Sequence, residues 1–173
     1  AEEISLAIFG LTERRINDLT LQISSRAENL SIIPRTGNLF LSNIDPKQVS
    51  NRNFNIFSAA IGVYRNWKNW ELSLGTILAG RNPSIEDLFS DGPHLGSYSY
   101  EIGQPNLDLE STLGFEISTK YEKNKFSSSV TAFNNYSPNY HLFSKIGNGY
   151  VPGSDWIEWG SGSTGWLYKY RMK

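Results

Sequence analysis

Cysteine is absent from the 173 residues and histidine occurs twice. Without cysteine there are no disulfides and no thiolate chemistry, and the compartment stays open. Scarce histidine removes most metal-hydrolytic machinery as well. No Gly-rich phosphate loop opens a helix, no Gly-x-Ser-x-Gly elbow occurs, and no His-Glu-x-x-His stands on a helix. Paired carboxylates could serve a glycosidase, but nothing fixes their spacing. The sequence therefore predicts neither an enzyme nor a resident cofactor or metal. Charge of one sign is missing too: a formal net charge of −1 gives no reason to expect nucleic acid or an anionic surface as partner. No run approaches the roughly 18 to 20 apolar residues that a membrane-spanning helix needs, which excludes that route across a bilayer and no other. The N-terminal Ala-Glu-Glu-Ile-Ser-Leu has no basic region, apolar stretch or cleavage site of a signal peptide.

Aromatic residues, in contrast, are plentiful, with five Trp, nine Tyr and nine Phe. Alternation is the dominant pattern. Over 70–81, Trp70, Leu72, Leu74, Thr76 and Leu78 share one face, while Glu71, Ser73, Gly75 and Arg81 share the other with Ile77 and Ala79. Over 113–121, Leu113, Phe115, Ile117, Thr119 and Tyr121 oppose Gly114, Glu116, Ser118 and Lys120. The same period of two runs through 19–28, 56–64 and, more weakly, 126–136. Such a period marks strands, because successive side chains of a strand point to opposite faces. In 3–12 the phase is ambiguous: Ile4, Leu6 and Ile8 favour one face, Phe9 and Leu11 the other. Six strands and the start of a seventh, from Trp166 to Lys173, are expected.

The connections alternate in length. Residues 13–18, 65–69 and 122–125 are short; 30–52, 82–110 and 143–165 are long. Soluble meanders keep most hairpin loops between about two and five residues. Up-and-down barrels of the outer membrane instead have short periplasmic turns and longer extracellular loops, and cross the bilayer with strands of about 9 to 11 residues. Trp67, Trp70, Tyr121 and Phe126 then fall near the periplasmic interface, where amphipathic rings are favoured. The polar face is too hydrophilic for a dry core.

The long connection 82–110 holds the densest polar chemistry: Asp87, Asp91, His94, Tyr98, Tyr100 and Glu101. As a ligand-contacting patch it would offer Asp91, His94, Tyr98, Tyr100 and Glu101. The competing reading is a folded loop whose Asp, Gly and Pro set turns, as in Ser-Asp-Gly-Pro, and it is preferred because a lone His is a weak ligand signal. Ser84 is placed to cap a short helical turn with Asp87 three residues on, and Leu88 and Phe89 to pin that turn against the wall. Arg81 is expected to pair with Glu116 or Glu71, or to touch another domain, and Glu110 to cap the rim of the next strand. Trp156 and Trp159 suit ligand stacking or an interfacial girdle, and Trp166 the girdle. His141, with no partner near it in sequence, reads as a surface or lumen residue.

Arg81-x-Pro83 ending one strand, Glu86 to Phe89 in a turn, then Gly103-Gln-Pro105-Asn-Leu107 and Glu110 before the next strand form a pattern that resembles the barrel of TonB-dependent outer-membrane receptors. Asp108 and Leu109 depart from the Lys-Pro usual before the glutamate. The resemblance implies an all-β, antiparallel, up-and-down transmembrane β-barrel of about 22 strands, of which residues 1–173 supply six to seven. It implies a mature piece or internal fragment, with the signal peptide, plug domain and C-terminal strands lying elsewhere. It further implies uptake of a scarce nutrient (an iron-siderophore, cobalamin or a metal ion), energised by the inner-membrane TonB complex through the plug. Outer-membrane lipids and a small extracellular ligand are then the partners, with no nucleic acid. The runner-up is a soluble or secreted β-sandwich binding module with aromatic carbohydrate or ligand contacts. The two differ in one respect: Thr20, Gln22, Ser73, Glu116, Ser118 and Lys120 line a wet lumen in the first and pack against a second sheet in the other.

Overall fold

The computed structural model describes residues 1–35, 43–94, 99–149 and 167–172. The strands are, in order, β1 (Glu2–Ile16), β2 (Leu19–Ile33), β3 (Arg52–Trp67), β4 (Trp70–Arg81), β5 (Asp91–His94), β6 (Ser99–Ile102), β7 (Glu110–Lys123), β8 (Phe126–Tyr136), β9 (Phe143–Gly149) and β10 (Leu167–Met172). One short helix, α1 (Ile85–Phe89), follows β4. The six long strands form one antiparallel sheet in the order β1-β2-β3-β4-β7-β8, the up-and-down arrangement that the alternation predicts. The four short strands form a second sheet, β5-β6-β10-β9.

The sequence places the start of a seventh barrel strand at Trp166. Leu167–Met172 is indeed a strand, but it belongs to the second sheet, antiparallel to β9 and parallel to β6. The edge of β6 left open by its hairpin with β5 takes it up, and β8 remains the edge of the six-stranded sheet.

The register sorts every residue onto a face. Directly opposed residues share a face, so Leu21, Val63, Leu74, Ile117 and Ala132 form one continuous apolar row, and Ile23, Ile61, Thr76 and Phe115 another. The opposite face carries rows such as Gln22, Gly62, Gly75 and Glu116, or Thr20, Tyr64, Ser73, Ser118 and Thr131. The register also resolves β1. Ile4, Leu6 and Ile8 lie on the apolar face, and Phe9 and Leu11 on the polar one. The apolar face is uncovered, with Leu6 79%, Ile61 47% and Leu74 46% exposed. All six diagnostic residues, Thr20 to Lys120, stand on the polar face, and no strand of the second sheet pairs with the six. A sandwich would bury the apolar rows, which is not what is found.

Three hairpins reverse in two residues, at 17–18, 68–69 and 124–125. Tight two-residue turns need a positive φ, and Asn17 (φ 55°), Lys68 (φ 53°) and Asn124 (φ 55°) supply it. Asn enters this region readily, whereas Lys does so at a cost. The Asp18 carbonyl accepts the Asn66 amide at 3.3 Å and the Asn69 carbonyl the Glu122 amide at 2.8 Å, so each turn is tied to the next hairpin. The turns are offset: Ile16 and Leu19 are level with Arg65, two residues short of Trp67 and Trp70. Trp70 is in turn level with Tyr121, two residues short of Lys123.

Trp67 opposes Trp70 across the β3–β4 turn, Trp70 packs on Tyr121 with ring centroids 4.7 Å apart, and Tyr121 meets Phe126 at 6.2 Å. All four rings lie on the apolar face at the turn end, forming the aromatic belt expected there. Among the described residues no helix is long and apolar enough to cross a membrane, which leaves strands free to do so.

Candidate functional site

The other end of the sheet is where the polar face acquires a cover. Leu30 and Ile32 of β2 and Phe54 and Ile56 of β3 are buried on that face, beneath Leu88 of α1 and Leu107. Ile85, Phe89, Leu109 and Phe143 complete the cluster. The long connection after β4 thus folds inward, over the polar face, instead of away from the wall. Leu88 is fully buried, as its expected pinning role requires, and Phe89 packs beside it. Burying a leucine-sized side chain contributes about 1.5 to 3 kcal/mol, enough to hold one turn of helix that could not persist alone.

Local chemistry shapes the turn. Ser84 Oγ accepts the Asp87 amide at 3.1 Å, and Asp87 Oδ2 accepts the Ser84 amide at 3.0 Å, which is the reciprocal cap expected from the sequence. Pro83 before it is fully buried, while Glu86 in the first turn faces solvent. The chain then returns beneath α1: the Gly103 amide donates to the Ser90 carbonyl at 2.7 Å and the Gln104 amide to the Asp87 carbonyl at 2.8 Å. Gly103 lies so close to the helix that a Cβ there would meet the Leu88 carbonyl carbon at 2.6 Å and the Phe89 nitrogen at 2.7 Å. Backbone cannot give way as a side-chain tip can, so only glycine fits.

Arg52 of β3, which the sequence reading passed over, clamps this return. Its Nη1 donates to the Pro105 carbonyl and its Nη2 to the Leu107 carbonyl at 2.6 Å, with the guanidinium 5.3 Å from the centre of the Phe54 ring. Pro105 and Leu107 are themselves buried. The only signal in the sequence was an arginine at the start of a strand, too common to single out.

Arg81 pairs with neither Glu116 nor Glu71. Its cross-strand neighbour is Glu110, and Arg81 Nη2 donates to Glu110 Oε2 at 2.8 Å. Glu116 and Glu71 stand opposite Gly75 and Lys120, further down the same face. Asp87 Oδ2 is 3.6 Å from Arg81 Nη1, so one guanidinium ties the strand end to α1. Glu110 is 6% exposed and also accepts the His141 amide at 3.0 Å. It caps more than its own strand, because that bond turns the chain beyond β8 back toward the wall. His141 is buried, not on the surface or free in the lumen; its Nδ1 has no hydrogen bond and lies 4.0 Å from Glu110 Oε2.

These groups lie at the loop end of the sheet, beyond the Leu78–Leu113 pair of β4 and β7. Burial pushes the Glu110 carboxyl up, but the hydrogen bonds from Arg81 and from the His141 amide outweigh it and hold the group below the usual carboxylate range. The Arg81 guanidinium is raised in turn, chiefly by its bond to Glu110.

Of the residues proposed for ligand contact, Asp91 and Tyr100 are brought together. Asp91 Oδ1 accepts from the Tyr100 hydroxyl at 2.9 Å and from Asn43 Nδ2 at 2.8 Å, and Oδ2 accepts the Asn43 amide at 2.8 Å and the Ile44 amide at 3.3 Å. Tyr100 and Ile102 are buried with Ile44. Asp91 therefore fastens the β2–β3 connection to the β5–β6 hairpin. Glu101 is half-buried in β6, and His94 lies in β5 opposite Ser99. Tyr98 lies outside the described residues, as do Trp156, Trp159 and Trp166. Among the described residues no group of three His, Cys, Asp or Glu could hold a metal ion.

Below this cover the polar face stays open as a shallow trough of about 320 Å³, floored by Ser24, Ala60, Gly62, Gly75 and Gly114 and flanked by Leu11 of β1 and Phe133 of β8. Small floor residues keep the backbone accessible across four strands. The arrangement is a wall with a wet side, a greasy side and a folded rim.

The family model described as TonB dependent receptor-like, beta-barrel matches residues 2–168. Among solved structures, a mutant of the ferric enterobactin receptor from Pseudomonas aeruginosa aligns at 13% identity with a TM-score of 0.47, over 98% of this chain and 31% of that one. The chain thus spans less than a third of the length of that receptor. The matched family is one of outer-membrane receptors and transporters, not of enzymes. With the match running through all six long strands and the rim that folds over them, this chain belongs to the TonB-dependent receptor β-barrel family.

Proposed function

We propose that these strands are part of the wall of a multi-pass outer-membrane barrel that imports a scarce nutrient. Iron-siderophore complexes, cobalamin and metal ions are the candidate cargoes. The polar face lines the lumen and meets a plug domain supplied elsewhere in the receptor, through which the inner-membrane TonB complex does its work. The rim built from residues 82–110 forms part of the mouth, where Asp91, His94, Tyr98, Tyr100 and Glu101 meet the ligand or brace the loops that do. The observation that supports this reading most directly is the exposed apolar face. Six strands wide and without a covering layer among the described residues, it would be a severe liability in water and is what a lipid-facing wall requires.

The test uses the full-length receptor in its host. Deleting it should abolish growth when the limiting nutrient is offered as one of the three cargo classes, and deleting the TonB transducer should reproduce the same defect. The folded receptor should be found in the outer-membrane fraction and migrate differently on a gel before and after boiling. Recovery from the soluble fraction, or uptake indifferent to the transducer, would overturn the reading.

A further inference from the structure

The apolar face is not uniformly apolar. We propose that Arg14 and Arg65 bind the phosphate-bearing headgroups of anionic phospholipids in the periplasmic leaflet. This rests on the barrel reading above, which makes the turn end periplasmic and the apolar face lipid-facing. Arg14 opposes Leu21 and Arg65 opposes Leu19, which places both arginines on the apolar face. They occupy equivalent positions in successive hairpins, each three residues before its turn at Asn17 or Lys68. Both are exposed, and neither side chain makes a hydrogen bond or ion pair among the described residues.

The carboxylates of the strands are kept off the apolar face at this end of the sheet. Lys123 joins the arginines on the apolar face, opposite Phe126. The nearby carboxylates Glu13, Glu71 and Glu122 all lie on the polar face, opposite Gln22, Lys120 and Ser127. The formal net charge of −1 conceals this cationic strip.

Depth agrees with the assignment. For a strand rising roughly 3.3 Å per residue and tilted about 35 to 45°, three residues correspond to about 7 to 8 Å along the bilayer normal. That is about the thickness of one headgroup layer. A guanidinium there keeps its stem on hydrocarbon and its fork among phosphates, which it recognises in bidentate fashion. The two sites are separated by β2 and offset by two residues along it, so at about 4.8 Å per strand and about 3.3 Å per residue they stand about 12 Å apart, room for neighbouring headgroups.

The experiment compares lipid retained by the full-length receptor purified in mixed micelles of phosphatidylglycerol and phosphatidylcholine, with native mass spectrometry as the readout. The wild-type receptor should retain phosphatidylglycerol preferentially. The preference should fall about fivefold for each of Arg14→Gln and Arg65→Gln, return only in part in the paired Arg14→Lys and Arg65→Lys variant, which restores the charge without the fork, and weaken with added salt. Equal retention of the two lipids, or a preference untouched by the glutamine variants, overturns the proposal while heat-modifiable migration shows the barrel intact. A receptor that enters no membrane or micelle overturns the barrel reading, and this proposal with it.

Discussion

At one end of the six-stranded sheet two residues suffice to reverse the chain; at the other the chain leaves at Arg81, wanders through 82–109 and has to be tied back at Glu110. The turn end is held by backbone conformation and by amide bonds between neighbouring hairpins. The loop end is held by a buried cluster from β2, β3, α1 and the segment around Leu107, by the Arg52 clamp, and by the Arg81–Glu110–His141 junction. Local rules govern the first and long-range packing the second, so damage to the loop end should leave the turns untouched.

The sharpest way to separate them is Leu88→Ala. Removing a fully buried leucine should cost the rim about 2 to 5 kcal/mol. Hydrogen exchange on the full-length receptor should show lost protection over 82–110 with the three hairpin turns unchanged. Uniform loss along the strands would mean that the rim and the wall are one cooperative unit.

A smaller and pH-dependent effect is expected at Arg81. Because the folded state holds Glu110 below the usual carboxylate range, its stabilisation is fully present above the ordinary value of about 4.3. It is lost as pH falls through the lower folded value. Rim protection should therefore persist below the ordinary carboxylate value in the wild-type receptor. In Arg81→Gln burial is opposed by His141 alone, through its amide and its nearby ring, so the rim should open at a higher pH. At neutral pH the same variant should lose about 1 to 2 kcal/mol, discounted because the guanidinium is half-exposed. An identical pH profile in both proteins would remove Glu110 from the account.

The smallest effect belongs to the turns. Lys68→Asn relieves a lysine held at positive φ and should stabilise that hairpin by about 0.5 to 1 kcal/mol. Slower exchange at Asn66 and Glu71, with the rim unaffected, is the expected record; faster exchange would show that the lysine side chain has a role of its own.

The same division explains what could be read from the residues alone. Alternation in 70–81 and 113–121 is a local signal, and both faces of β4 and β7 follow it without error. The capping box at Ser84 is local too. In β1 the local signal is contradictory, since Phe9 and Leu11 sit on the polar face, and only pairing with β2 settles the phase. The partner of Arg81 depends on the register between β4 and β7 across a long loop, which is why the residues alone point to Glu116 or Glu71 for the pair and to Glu110 as a cap. Arg52 and His141 act through residues dozens of positions away, and no spacing announces them. The second sheet was invisible for the same reason: β10 joins β6 in parallel, a contact that no hairpin rhythm encodes.

The two-residue offset between successive turns has a geometric consequence. Each hairpin slides the ladder two residues while adding two strands, so one residue of slip accompanies each strand. With a rise of about 3.3 Å and a strand spacing of about 4.8 Å, that ratio slants the strands by about 35° from the axis of the cylinder they curl into. The slant is thus set within these few hairpins, and further strands laid down by the same rule widen the cylinder without altering its pitch.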